Sequence, residues 1–243
     1  MTLRTDVIGR TLSITIDRPE RRNAVDLATL EQFVAVLAAA RTKDHRVVVI
    51  SGTPPAFCSG ADLTGVELGV FTDTLLAVLK GLVDLPAIVI AAVEGPALGA
   101  GVQIAAACDL RVATADSRFG VPAAKLGLAV DAWTVERVGR EAGWSTARRM
   151  LLTGESFVAS ELLGGLVHRL GGSAEALQWA HELSGLAPLT IAAHKAALAA
   201  VAGETGTTLS AAEEIRRVAW ASADAVEGRR AFAEKRPPNF TGR

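Results

Sequence analysis

Apolar and polar residues along the first half of the chain form two patterns that follow one another in turn. Short apolar runs rich in branched side chains have the length of buried β-strands at 12–16, 47–51, 87–93, 110–113 and 119–121. Between them, apolar residues recur at helical spacing over 27–37, behind a capping Asp26, and over 71–82. Because strands alternate with helices, the pattern predicts an α/β fold.

The second half of the chain has a different pattern. From about Asp131 onward it is almost wholly helical. Ser210 and Glu213 have the spacing of a capping box, and Ser222 can cap the last helix. The break between an α/β core and a helical tail is predicted near residues 185–188.

Composition excludes several classes of protein. The 243 residues are 50% hydrophobic and carry a net charge of −1, which argues against a nucleic-acid surface. The most apolar stretch, 87–108, is interrupted by Glu94, Gly95 and Pro96, so we expect no integral membrane segment. Charged residues near the N-terminus, two cysteines and four scattered histidines predict a cytoplasmic protein without a leader peptide, a disulfide framework or a metal site.

Two segments rich in small residues carry the candidate chemistry. The first is 57–62, Phe-Cys-Ser-Gly-Ala-Asp, and the second is 97–103, Ala-Leu-Gly-Ala-Gly-Val-Gln. Glycines at such places let the backbone approach a ligand closely, so that a main-chain N–H can face it. Gln103 lies three residues after Ala100, which places both on one side of a helix.

Several motifs in this order resemble the enoyl-CoA hydratase/isomerase (crotonase) superfamily. The matching segments are 18–24, 57–62, 97–103, 108–111, 119–122, 187–188 with Lys195, and 224–236. The resemblance implies a spiral of ββα turns over residues 1–186. It also implies a helical C-terminal region, 187–243, that packs homotrimers or dimers of trimers.

The resemblance also implies a ligand and the residues that hold it. The ligand is an acyl-CoA or enoyl-CoA, whose CoA is part of the substrate, so no separate cofactor is expected. The backbone N–H groups of Ala61 and Ala100 would form an oxyanion hole for the thioester carbonyl, where preorganised donors stabilise developing negative charge. By the same resemblance the CoA moiety contacts Arg21, Arg22, Ala24, Gly60, Ala61, Asp62, Leu63 and Lys235. A solvated charge pair is the alternative interpretation of the two arginines.

The chain departs from the family pattern at two positions. Hydratases of the family carry glutamate where this chain has Gln103, and a second glutamate where it has Ala123. Glutamine forms hydrogen bonds but does not exchange a proton near neutral pH, so efficient hydration is not expected. In this respect the pattern is similar to actinobacterial members that lack both glutamates. A buried Gln103 amide would in any case need a partner, for which the backbone is the expected choice.

Asp131 is the remaining candidate carboxylate. It lies eight residues after Ala123, an offset at which some isomerases and dehalogenases of the superfamily place a working aspartate. Its apolar sequence neighbours favour a partly desolvated carboxyl suited to proton transfer. The alternative is that Asp131 caps a helix that begins near Ala132.

Three hypotheses follow. The chain is an enzyme acting on acyl-CoA thioesters, either a hydratase or an isomerase that uses Asp131. Alternatively it is a non-catalytic acyl-CoA carrier of fatty-acid metabolism, or a purely structural assembly protein. Gln103 and Ala123 favour the carrier over a hydratase, whereas Asp131 keeps the isomerase open.

Overall fold

The computed structural model describes residues 2–62, 64 and 67–243. Its strands are β1 (Leu3–Ile8), β2 (Thr11–Ile16), β3 (Val47–Gly52), β4 (Ile88–Val93), β5 (Pro96–Leu98), β6 (Leu110–Ala113), β7 (Arg118–Gly120), β8 (Ser156–Val158) and β9 (Arg169–Leu170). Its α-helices are α1 (Leu27–Ala40), α2 (Leu68–Asp84), α3 (Ala100–Ala107), α4 (Ala132–Ala142), α5 (Trp144–Thr153), α6 (Ser173–Leu183), α7 (Pro188–Ala202), α8 (Leu209–Trp220) and α9 (Ala223–Glu234).

Most strands belong to one six-stranded sheet in the order β1-β2-β3-β4-β6-β9. β1 and β2 form an antiparallel hairpin, and the other pairings in this sheet are parallel. A second, three-stranded sheet has the order β5-β7-β8. Because parallel strands need helical crossovers, this topology explains the alternating pattern of the first half of the chain.

Helices cover both faces of the large sheet. Val48 and Ile50 of β3 join the core beside α1, α2 and α3, whereas Val47 and Val49 pack toward α6 on the opposite face. Side chains alternate between the faces of a strand, so a strand covered on both sides reads as one continuous apolar run. The α/β class predicted from the sequence is confirmed.

Three local predictions are confirmed and one is wrong. The Asp26 carboxylate accepts from the Thr29 N–H at 2.8 Å, and Ser222 caps α9 in the same way. The region from about Asp131 onward is mostly helical, as predicted, and the exceptions are β8 and β9, which are too short to show periodicity. α8 is capped by Thr208 rather than by a box of Ser210 and Glu213, because Glu213 pairs with Arg216 instead.

Two arginines fix the C-terminal end of α3. The Arg111 guanidinium donates to the carbonyls of Ala105 and Cys108, at 3.1 and 2.7 Å, and pairs with Glu141. Arg137 donates to the Ala106 carbonyl at 2.7 Å. The last carbonyls of a helix have no partner inside it, so cations at this end satisfy them and stabilise the helix dipole.

Helix α7 is tied to the sheet region through Lys195. Its ammonium group lies 2.5 Å from an Asp109 carboxylate oxygen and donates to the Ala87 carbonyl at 2.9 Å. The boundary at 186/187 and a trimerisation role for 187–243 stay predictions.

No single helix within the described residues has the length and apolar character needed to cross a membrane. By length and composition alone, the consecutive pair α6 and α7, bent by 111°, passes the same test.

Candidate functional site

The two segments of small residues lie side by side. The N–H of Cys58 donates to the Pro96 carbonyl at 3.1 Å, and the N–H of Leu98 donates to the Cys58 carbonyl at 2.9 Å. This contact requires glycine at 101, since a Cβ there would lie 2.2 Å from the Cys58 carbonyl oxygen. The sequence pattern therefore brings 57–62 against the start of α3.

The main-chain N–H groups of Ala61 and Ala100 have no hydrogen-bond partner among the residues that the structure describes. On either side of Ala61, the Val25 N–H donates to the Gly60 carbonyl and the Asp62 N–H donates to the Val25 carbonyl, so the N–H of Ala61 itself points away from Val25. Ala100 is the first residue of α3, behind Gly99 at a φ of 52°. Neither N–H donates to another residue within the described ranges.

Both alanines line one cavity of about 520 Å³. Its walls come from 59–61, one face of α2, the start of α3, and the stretch 121–131. Apolar side chains dominate the walls: Phe71, Leu75, Leu76, Val121, Pro122, Ala123, Leu126, Leu128, Ala129 and Val130. A mostly apolar cavity with a few polar groups is the usual form of a small-molecule site. Leu63, expected to contact the ligand, lies outside the described residues.

Gln103 lines the same cavity and is held by a neighbour that the sequence did not predict. Its side-chain Nε2 donates to the Thr134 hydroxyl at 2.6 Å, and that hydroxyl donates to Asp131 at 2.8 Å. The expectation of a backbone partner for Gln103 was wrong, because α4 places Thr134 directly against α3. The contact joins residues 31 positions apart, and no local pattern could have indicated it.

Asp131 caps α4 and borders the cavity. One carboxylate oxygen accepts from the Thr134 N–H at 3.0 Å and the other from its hydroxyl, which confirms the predicted helix cap. The expected desolvation is not found, because Asp131 and its neighbours Leu128 and Ala129 are exposed. Asp73, at an exposed position on α2, is a cavity-lining carboxylate that sequence reasoning missed.

The turn 18–24 is organised by Arg18, whose role the sequence did not indicate. Its guanidinium lies 2.9 Å from Asp26 and 3.2 Å from Asp62, and it also donates to the Ala24 carbonyl. A hydrogen bond from Thr64, followed by those from Arg18, lowers the pKa of Asp62. The ionised Asp62 carboxylate therefore pairs with Arg18 and links the first segment to the turn 18–24.

Arg21 and Arg22 are exposed, and their main chain is attached to the first segment. The Ser59 N–H donates to the Arg22 carbonyl at 3.0 Å, and the Ser59 hydroxyl donates to the Arg21 carbonyl at 3.2 Å. The main chain of both arginines thus lies beside the cavity wall. Lys235 ends α9 at an exposed position and does not line the cavity.

The buried Cys58 thiol of the first segment is not an activated nucleophile. Burial raises the pKa of the Cys58 thiol to about 11, so the thiol stays protonated and weakly nucleophilic at neutral pH. Within the described ranges, no three His, Cys, Asp or Glu side chains come together as a metal site.

Comparison with known proteins identifies the family of this chain. The model of the enoyl-CoA hydratase/isomerase family matches residues 9–243. The chain belongs to that family. It is 39% identical over 240 residues to the probable enoyl-CoA hydratase echA6 of Mycobacterium leprae, covering 95% of this chain and 96% of the relative. It is 37% identical over 247 residues to the 2,3-dehydroadipyl-CoA hydratase of Escherichia coli, covering 96% of each.

The fold of the family is equally clear. The crystal structure of an enoyl-CoA hydratase from Bacillus anthracis superposes with a TM-score of 0.89 at 26% identity, covering all of both chains. The resemblance to the crotonase superfamily and its fold, inferred from the motifs, is confirmed.

Proposed function

We propose that this member of the enoyl-CoA hydratase/isomerase family binds acyl-CoA thioesters in the 520 Å³ cavity and does not hydrate them efficiently. The observation that carries the proposal is the pair of unpartnered N–H groups, Ala61 and Ala100, in the wall of one apolar cavity. They are the donors for the thioester carbonyl. The apolar walls accommodate the acyl chain.

Arg21 and Arg22, next to the cavity, are suited to bind the phosphate groups of CoA. CoA carries several negative charges, and Arg21 and Arg22 stand exposed beside the first segment. Guanidinium groups suit phosphate oxygens because their N–H donors match them in pairs. Ala24 borders the same turn. Lys235 joins this set only if the nucleotide, or a second copy of the chain, reaches the end of α9.

The two positions expected to supply the general acid and base of hydration hold residues that cannot transfer a proton. Gln103 occupies one expected position and donates to Thr134, and Ala123 occupies the other without a titratable group. Loss of one general acid or base commonly costs about 10²- to 10⁴-fold in rate. A carrier that holds the thioester intact fits these positions better than a hydratase.

A substitution at Ala100 tests the binding mode. Ala100→Pro removes the N–H at the first position of α3, where proline is compatible with a helix. Leu209→Pro makes the same change at the exposed first position of α8, away from the cavity, and serves as the control. We expect calorimetric titration with butyryl-CoA to give binding at least about fivefold weaker for Ala100→Pro alone. Equal affinities in the two variants would contradict the proposed carbonyl site.

The turnover assay is made on the same protein. With crotonyl-CoA, we expect hydration at least about 10²-fold slower than in glutamate-bearing relatives. Hydration at the rate of such a relative would overturn the carrier assignment.

Isomerisation is the second candidate, favoured by the position of Asp131 at the cavity wall. A proton moved by Asp131 between two carbons of a 3-enoyl-CoA would give the 2-enoyl isomer. Chromatography after incubation distinguishes the two functions. Conversion by the unmodified chain that disappears in Asp131→Ala supports the isomerase, whereas unchanged ligand supports the carrier.

A further inference from the structure

The orientation of the Gln103 amide is fixed by Thr134 and Asp131. The Asp131 carboxylate accepts at both oxygens from Thr134, one bond coming from the N–H and one from the hydroxyl. An ionised carboxylate only accepts, so the single hydroxyl hydrogen of Thr134 is committed to Asp131. The oxygen of that hydroxyl can then only accept from a third group.

This third group is the NH₂ of Gln103, at 2.6 Å from the Thr134 oxygen. A flipped amide would bring two acceptors together, so the chain of bonds excludes it. The amide oxygen Oε1 therefore faces the other way. Oε1 accepts no hydrogen bond from any residue in the described ranges. It is also not one of the fully buried polar atoms that lack a partner, so part of its surface is accessible. Since Gln103 lines the cavity, Oε1 is open to a ligand there.

The cavity thus presents an acceptor where a carboxylic acid could have presented a donor. Neighbouring wall residues Val121 and Ala123 have no polar side-chain atoms and cannot compensate. Ala100 and Gln103 are three residues apart on one helix, or roughly 4.5 Å along its axis. An acyl chain that runs from a carbonyl at the Ala100 N–H along the axis of α3 places its third carbon near the level of Gln103, and this is the pose that selection by Gln103 requires.

We propose that Gln103, oriented by Thr134 and Asp131, selects acyl-CoA thioesters that carry a hydroxyl on the third carbon over the corresponding enoyl and saturated thioesters. The inference rests on the acyl-CoA binding proposed above. The hydroxyl donates to Oε1, a bond that the alkene and the alkane cannot make. Gln103 and Thr134 do not remove a proton, so the hydroxyacyl ligand is held unchanged.

Titration of the purified full chain with a matched set of ligands tests this selection. The probes are both enantiomers of 3-hydroxybutyryl-CoA, crotonyl-CoA and butyryl-CoA, which share the same chain length. We expect one enantiomer to bind at least about fivefold more tightly than the other two thioesters. Gln103→Met keeps the length of the side chain but removes the amide, so the preference should fall to within about twofold of parity.

Thr134→Val provides a second variant, which leaves Gln103 in place but frees its amide to turn. The preference for the hydroxyacyl ligand should fall here too, while butyryl-CoA binding is kept in both variants. Gln178→Met, at an exposed position on α6, is the matched glutamine control and should keep the preference. Retained butyryl-CoA binding also reports that each variant is folded.

The outcomes separate the two proposals. If none of the thioesters binds the unmodified chain, the proposed function fails. If they bind equally well, or if the preference survives in both Gln103→Met and Thr134→Val, acyl-CoA binding stands and the role of Gln103 is overturned. If Gln103→Met does not fold, Thr134→Val decides.

Discussion

Gln103 differs from a glutamate mainly in what it can give to Thr134. Its NH₂ group supplies the hydrogen that the Thr134 oxygen accepts, because the hydroxyl hydrogen is already given to Asp131. A carboxylate at 103 would compete with Asp131 for that one hydrogen. The surroundings of position 103 therefore favour an amide over a carboxylate. Thr134 on α4 contributes to this preference, in addition to the residue at 103 on α3.

Replacing Gln103 with glutamate should destabilise the protein. Asp131 keeps the Thr134 N–H as a donor, whereas the buried carboxylate of Gln103→Glu would lack a donor as long as the Thr134 hydroxyl donates to Asp131, which costs about 1–3 kcal/mol of unfolding free energy. Urea unfolding at neutral pH measures this cost. Gln178→Glu makes the same chemical change on the exposed face of α6, where an effect within about 0.5 kcal/mol is expected. Equal changes in both variants would show that Thr134 adapts freely.

At the scale of elements, local signals were sufficient wherever the stabilising contacts are local. Asp26 and Ser222 cap their own helices, and the apolar runs of β3 and β4 reflect burial of each strand on both faces. The sequence could not predict the partner of Gln103, because Thr134 reaches it only after α3 and α4 pack. Strands β8 and β9 are likewise defined by pairing across the sheet and not by their own pattern.

The end of α9 provides a pH-dependent element. Hydrogen bonds from Arg236, together with one from the Asn239 N–H, lower the pKa of Glu227 to about 2. The folded-state pKa lies below the ordinary value of 4.5, so the carboxylate stabilises the fold above about pH 4.5. This contribution is lost as the pH falls from 4.5 toward 2.

A pair of substitutions checks the origin of this effect. Glu227→Gln should lower the unfolding free energy at pH 7, and the difference from the unmodified chain should shrink toward pH 2. In an Arg236→Gln background the same substitution should have a smaller effect, because the main partner is absent. Urea unfolding across this pH range measures both differences. A difference that does not depend on pH would exclude this pair as the cause.

At the scale of the whole molecule, Lys195 links the predicted core and the predicted C-terminal region. Only 10% of its side chain is exposed, and it binds the Asp109 carboxylate at the start of β6 together with the Ala87 carbonyl. The Asp109 carboxylate also accepts from the Val89 N–H at 2.7 Å, so the pair reaches β4. The two regions are therefore coupled through the ion pair of Lys195 and Asp109, in which each charge compensates the other.

Lys195→Met should lower the unfolding free energy by about 3 kcal/mol, because it leaves the Asp109 carboxylate without its cation. We expect one cooperative transition in both the unmodified chain and the variant, followed by circular dichroism and by tryptophan fluorescence. Lys80→Met, at an exposed position on α2, is the control and should change stability by no more than about 0.5 kcal/mol. Two separate transitions in the unmodified chain would mean that residues 187–243 unfold independently.

The arginines at the far end of α3 also bear on how this site can change over evolution. Arg111 and Arg137 bind the last carbonyls of α3 and so fix the helix at its C-terminal end. The position of the Ala100 N–H therefore does not depend on the side chain at 103. The residue on the cavity face can then be exchanged without moving the backbone donor. Under the proposed function, ligand binding by the Ala100 N–H and proton transfer by the residue at position 103 can therefore be gained or lost separately.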